Sequence, residues 1–86
     1  MADATESISV GRLRWRCRRG TRELDAMLGW WLEQRHAQAG SAQREDFDRL
    51  LDVQDPDLWD WLTGNATPRD PGFGAIIDEI RAHHRI

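Results

Sequence analysis

Residues Arg12 to Asp25 read RLRWRCRRGTRELD, and the five residues Arg19, Gly20, Thr21, Arg22 and Glu23 organise the rest of the chain. Six arginines stand between Arg12 and Arg22 without one carboxylate, whereas Glu23 to Glu79 carries thirteen carboxylates and four arginines. The chain is therefore a charge dipole with its seam at Gly20. A glycine there can take the backbone angles that close one helix or open the next. The seam is predicted to be both a helix junction and the working surface.

Upstream of the seam, Val10, Leu13 and Cys17 recur at three and four residues, which places them on one face of a helix predicted over Ile8 to Arg18. Arg12, Arg16 and Arg19 follow one flank and Arg14 and Arg18 another, with Trp15 on the side away from Leu13. Such a surface suits either a solvated face whose Trp covers a neighbouring helix or a contact surface, since Trp and Arg are enriched at binding hot spots. Residues 1 to 7, MADATES, offer nothing to bury and are expected to fray.

Downstream, Glu23 falls at the third position of a new helix, where its carboxylate is expected to reach back to the Gly20 N–H and to favour the helix dipole. Arg19 and Arg22 crowd the same positive helix end, which costs on the order of several tenths of a kcal/mol. An acidic partner or a strong internal pair would offset that cost. Leu24, Met27, Leu28, Trp31, Leu32 and Arg35 keep a helical stripe that AQAG dissolves, and Gly40 is expected to end it. Trp30 lies off that stripe.

A third helix is predicted near Ala42 to Val53, capped by Ser41 and carrying Phe47, Leu50 and Leu51 inward. The pair Asp55 and Pro56 starts a fourth, with Leu58, Trp61 and Leu62 inside and Trp59 to one side, ending at Gly64 and Asn65. A second such pair, Asp70 and Pro71, starts a fifth, whose stripe is Phe73, Ile76, Ile77 and Ile80. Arg81, His83, His84 and Arg85 then suit its negative end. Five short amphipathic helices with no alternating strand pattern predict an all-α, single-domain bundle.

Eighty-six residues hold one small core but no cofactor cleft between two lobes, which favours a binding module over a self-sufficient enzyme. A net charge of −3 argues against nucleic-acid binding by the molecule as a whole, leaving only the Arg-rich first helix as a candidate. One cysteine allows no internal disulfide, and no apolar run suggests a leader or membrane span, so a reducing cytoplasm is the expected home. His36, His83 and His84 have no zinc-ligand spacing. Cys17 could be activated by its arginines, yet its place beside Leu13 reads as a small buried hydrophobe. Neither a phosphate-binding glycine loop nor a catalytic carboxylate pair is evident.

RWRCRRGTRELD, followed about thirty residues later by LLDVQDPDLWDWL and then by a Pro-containing loop and a final amphipathic helix, resembles the SdhE family of flavinylation factors, bacterial relatives of mitochondrial succinate dehydrogenase assembly factor 2. The similarity covers roughly Arg12 to His83. The family signature R-G-x-x-E is matched by Arg19, Gly20 and Glu23. The resemblance implies a five-helix bundle that acts as an assembly factor and not as an enzyme. It would bind the flavoprotein subunit of succinate dehydrogenase, and in some bacteria fumarate reductase, and promote covalent attachment of FAD to a histidine of that subunit. FAD is then the partner's cofactor, and the chain is expected to hold none permanently. The same resemblance places Arg19, Gly20 and Glu23 at the partner interface, with Arg12, Trp15 and Arg18 as weaker candidates, in a protein expected to be a monomer. Trp30 with Trp31, and the arginine density of the first helix, depart from the family pattern.

Overall fold

The computed structural model describes residues 10–84. Helix α1 occupies 10–16 of these. It is followed by α2 (Arg22–Gln34), a 3-10 turn (His36–Gln38), α3 (Ser41–Leu50), α4 (Asp55–Thr63) and α5 (Pro71–His84), with no strand among the described residues. The all-α expectation holds. The expectations for residues 1–7, Ile8 and Arg85 lie outside the described residues.

The core is one cluster drawn from every helix: Leu13 and Cys17 from the first helical segment, Leu24, Leu28, Trp31 and Leu32 from α2, Phe47 and Leu50 from α3, Leu58 and Leu62 from α4, and Ile76, Ile77 and Ile80 from α5. Helix α5 packs on α2, α3 and α4 alike, so its isoleucine stripe is the surface on which the others assemble. Apolar burial of this kind, about 25 cal/mol per Å², holds together helices that are individually too short to persist in water. Trp31 is fully buried, stacks on Phe47 at 4.5 Å, and its indole N–H donates to Glu79 Oε2 at 2.9 Å. Trp30 is half-buried and stacks on His83 at 4.1 Å. The two tryptophans that depart from the family pattern thus belong to the packing.

Several helix ends differ from expectation. Helix α1 stops two residues before Arg18, because Arg18 N–H closes a tight turn on Trp15 O and Gly20 takes φ +93°. Helix α2 ends at Gln34, not at Gly40. Arg44 draws the next segment into the 3-10 turn by donating to His36 O at 3.0 Å and Ala37 O at 2.8 Å. Helix α3 begins at Ser41 with Gly40 at the cap position, so Ser41 does not cap it, and it closes at Leu50. The cap position of α4 is Gln54, not Asp55, whose carboxylate is engaged elsewhere. At α5 the expected cap is present: Asp70 Oδ1 accepts the Gly72 N–H at 2.8 Å and, more weakly, the Phe73 N–H at 3.4 Å.

Candidate functional site

The seam is a junction of four backbone segments. Cys17 N–H donates to Leu13 O at 3.0 Å, ending α1, and three residues later Gly20 turns the chain through a left-handed conformation. No atom lies within 4 Å of where a Gly20 side chain would begin, so glycine is required by the backbone and not by crowding. Thr21 then sits extended at the α2 cap position without a side-chain cap bond. The expected reach of Glu23 back to Gly20 is absent. Asp25, two residues further on, reaches back instead to the neighbouring residue, its Oδ1 accepting the Arg19 N–H at 2.5 Å. The carboxylate of Glu23 is therefore exposed and outside any ion pair among the described residues.

Arg19 is turned inward. Its side chain is only 14 % exposed, and Nε donates to Asp55 Oδ1 at 2.7 Å. One terminal nitrogen donates to Leu51 O at 2.8 Å and the other to Val53 O at 2.6 Å. Those carbonyls lie just past the end of α3, where the helix leaves acceptors unmatched, and a planar fork suits several acceptors at once. The strong internal pair that would offset a cation near the α2 start is therefore present for Arg19. Arg16 acts alongside it, bonding the Asp48 carboxylate, Asp48 O at 2.9 Å and Asp52 Oδ1 at 2.8 Å. Together they fasten the α1 to α2 junction onto the α3 to α4 junction.

This division of labour separates the sequence-selected residues. Gly20, Glu23, Arg12, Trp15 and Arg18 are exposed, whereas the Arg19 side chain is mostly covered. Trp15 is 76 % exposed, an unusual position for so large an apolar side chain. Of the six arginines, Arg14 pairs with Glu33 at 2.9 Å and Arg16 and Arg19 are engaged as described, whereas Arg12, Arg18 and Arg22 make no ion pair among the described residues.

Beside Glu23 the structure opens a groove of about 460 Å³ between the starts of α2 and α4, lined by Thr21, Glu23, Leu24, Asp55, Pro56 and Trp59. Asp55 and Pro56 stand out in the sequence only as a helix start, whereas Trp59, if exposed, suits self-association as readily as partner binding. The available signal was Trp59 itself, which falls off the Leu58, Trp61 and Leu62 stripe.

Cys17 is buried, and burial pushes its thiol up to about 11 against the opposing pull of Arg19 and Arg16, which leaves it protonated and unreactive. No cluster of three or more metal-ligating side chains occurs among the described residues, and none of their helices is long and apolar enough to cross a membrane.

Residues 11–84 match the model of the Sdh5 family, described as flavinator of succinate dehydrogenase. The chain belongs to this family. Its relatives include the FAD assembly factor SdhE of Methylococcus capsulatus, 47 % identical over 72 residues that cover 84 % of this chain and 87 % of that one. The FAD assembly factor SdhE of Xylella fastidiosa is 47 % identical over 77 residues, covering 90 % and 79 % of the two chains. That of Coxiella burnetii is 40 % identical over 76 residues, covering 88 % and 93 %. Each of these relatives is an FAD assembly factor.

Proposed function

We propose that the protein binds the flavoprotein subunit of succinate dehydrogenase through the seam and promotes covalent attachment of FAD to it. Gly20 and Glu23 lie at the centre of the contact, Arg12, Trp15 and Arg18 flank it, and Arg19 holds it in shape from below. The observation that carries the reading is the family match over residues 11–84, joined to a signature motif whose glycine and glutamate are exposed. Fumarate reductase is a second client of the same surface. The protein works as a cytoplasmic monomer.

FAD stays with the partner in this reading. The start of α2 has free backbone N–H groups that would suit a pyrophosphate, but Glu23 and Asp55 stand beside it and would repel one. With Cys17 buried and protonated, the assembly factor acts by stabilising the flavoprotein conformation in which the partner's own residue bonds the flavin, which requires tighter binding to that conformation than to others. Nucleic-acid binding by the Arg-rich first segment is disfavoured, because Arg14, Arg16 and Arg19 are already paired within the fold.

In-gel flavin fluorescence of the denatured succinate dehydrogenase flavoprotein tests the proposal. Covalent flavin is expected to be lost from cells lacking this chain, to return with the wild type and not to return with Gly20→Arg. Undiminished covalent flavin without the chain would refute it.

A further inference from the structure

The contact surface expected from the motif ends at Glu23, but the structure continues it. Thr21 and Glu23 also form one wall of the groove whose other wall is Asp55, Pro56 and Trp59, and Leu24 supplies an apolar base. Trp59 belongs to a nine-residue helix whose Leu58 and Leu62 are fully buried, yet it is 39 % exposed and faces this groove. We infer that the groove is the second half of the docking surface and that it receives an apolar side chain of the flavoprotein subunit lying next to a lysine or arginine. This rests on the function proposed above and adds the chemistry of the segment recognised.

The groove's interior and rim point to that occupant. Leu24, Pro56 and the Trp59 ring favour an apolar side chain, and Trp is among the residues most enriched at interface hot spots. The rim is anionic. Asp55 commits one carboxylate oxygen to Arg19, while the exposed Glu23 carboxylate is outside any ion pair among the described residues. Closing the groove under an anionic segment would leave Glu23 repelled and desolvated, whereas a neighbouring cation would match it.

The two walls are held in place before any partner arrives, because Arg19 joins Asp55 at the α4 start to the backbone leading into α2. A preformed site loses less entropy on binding. The chain's own residues before Val10 are poor occupants, since they carry Asp3 and Glu6 and no lysine or arginine. A second copy is the remaining competitor, because exposed Trp15 with Arg12 and Arg18, which make no ion pair among the described residues, offers the same apolar-plus-cation chemistry.

The test measures the dissociation constant for the purified flavoprotein subunit with wild type, Trp59→Ala, Glu23→Lys and Gly20→Arg, alongside circular dichroism and sedimentation of each free protein. Trp59→Ala and Glu23→Lys are each expected to weaken binding at least tenfold with helicity unchanged, and Glu23→Lys to make the affinity less sensitive to added salt. Wild-type affinity in Trp59→Ala, with Gly20→Arg still defective, would overturn the groove while leaving the proposed function in place. Failure of the wild type to bind the flavoprotein would overturn both. A Trp59→Ala change confined to self-association would assign the groove to a second copy and likewise overturn the inference.

If Trp59→Ala loses helicity, Pro56→Cys labelled with a maleimide photocrosslinker decides, since the native Cys17 is buried and escapes labelling. Crosslinking to the flavoprotein supports the inference, and labelled protein that binds without crosslinking overturns it.

Discussion

Replacing Arg19 by alanine tests the division between the clamp and the surface above it. The side chain is 14 % exposed and donates to Asp55, Leu51 O and Val53 O, at 2.7, 2.8 and 2.6 Å. A hydrogen bond from a charged group contributes about 1.5–3 kcal/mol, but bonds made by one guanidinium are coupled and do not add in full. Asp55 is 38 % exposed, so water reaches part of the space vacated and limits the loss. The expected cost is about 3 kcal/mol, within the range for breaking a hydrogen-bonded charge network.

For a domain of this size that loss lowers the melting temperature by roughly 12–24 °C. Arg19→Lys, which keeps the charge but not the planar fork, is expected to fall about midway. Urea unfolding followed by circular dichroism at 222 nm reads both variants. If Arg19→Ala unfolds within about 0.5 kcal/mol of the wild type yet no longer binds the flavoprotein, the guanidinium acts across the interface and the clamp assignment is wrong.

Gly20→Ala is expected to cost about 1–2 kcal/mol from its positive φ alone, since nothing lies within 4 Å of the new methyl group. Gly64→Ala should cost about as much by the same urea assay, because it shares a positive φ of +83° and its 2.8 Å approach is to the end of the flexible Arg81 side chain, which can shift. Burial, and then Arg44, hold the His36 imidazole below its ordinary 6.5, so the unfolded chain takes up the proton first. The stability this residue contributes is therefore complete above about pH 6.5 and is lost as pH falls through the lower folded value. Urea midpoints at pH 8 and pH 5.5 should differ less in His36→Asn than in the wild type. Cys17 should resist iodoacetamide at pH 8 until the protein is unfolded, and Cys17→Ser should retain full flavinylation activity in the in-gel assay, since the buried thiol is protonated.

The helices were legible because their apolar spacing is a local property. Leu24, Leu28, Trp31 and Leu32 must share a face of any helix they form, and the isoleucines of α5 likewise, so the helices and most of the core followed from periodicity, although Val10, Trp61 and Phe73, read as inward, are only half-buried. Helix ends were less legible because competing acceptors decide them. Arg44 unwinds the chain after Gln34 by taking two carbonyls, and Arg19 draws Asp55 away from the cap that its place before Pro56 suggested. The same holds at the seam, where Glu23 and Asp25 are both close to Gly20 in sequence and only the path of the backbone selects Asp25.

By itself the sequence determined an all-α bundle, the break at Gly20, the charge dipole and the family motif, all carried by residues close together along the chain. Tertiary structure alone decided which arginines face inward, that Glu23 is left exposed, and that Trp59 joins Glu23 at a common groove. Arg19 meets Asp55 across thirty-six residues, and no periodicity reports such a contact. A charged side chain looks the same in sequence whether it fastens two helix junctions or waits for a partner, and only folding brings together the carbonyls that distinguish the two.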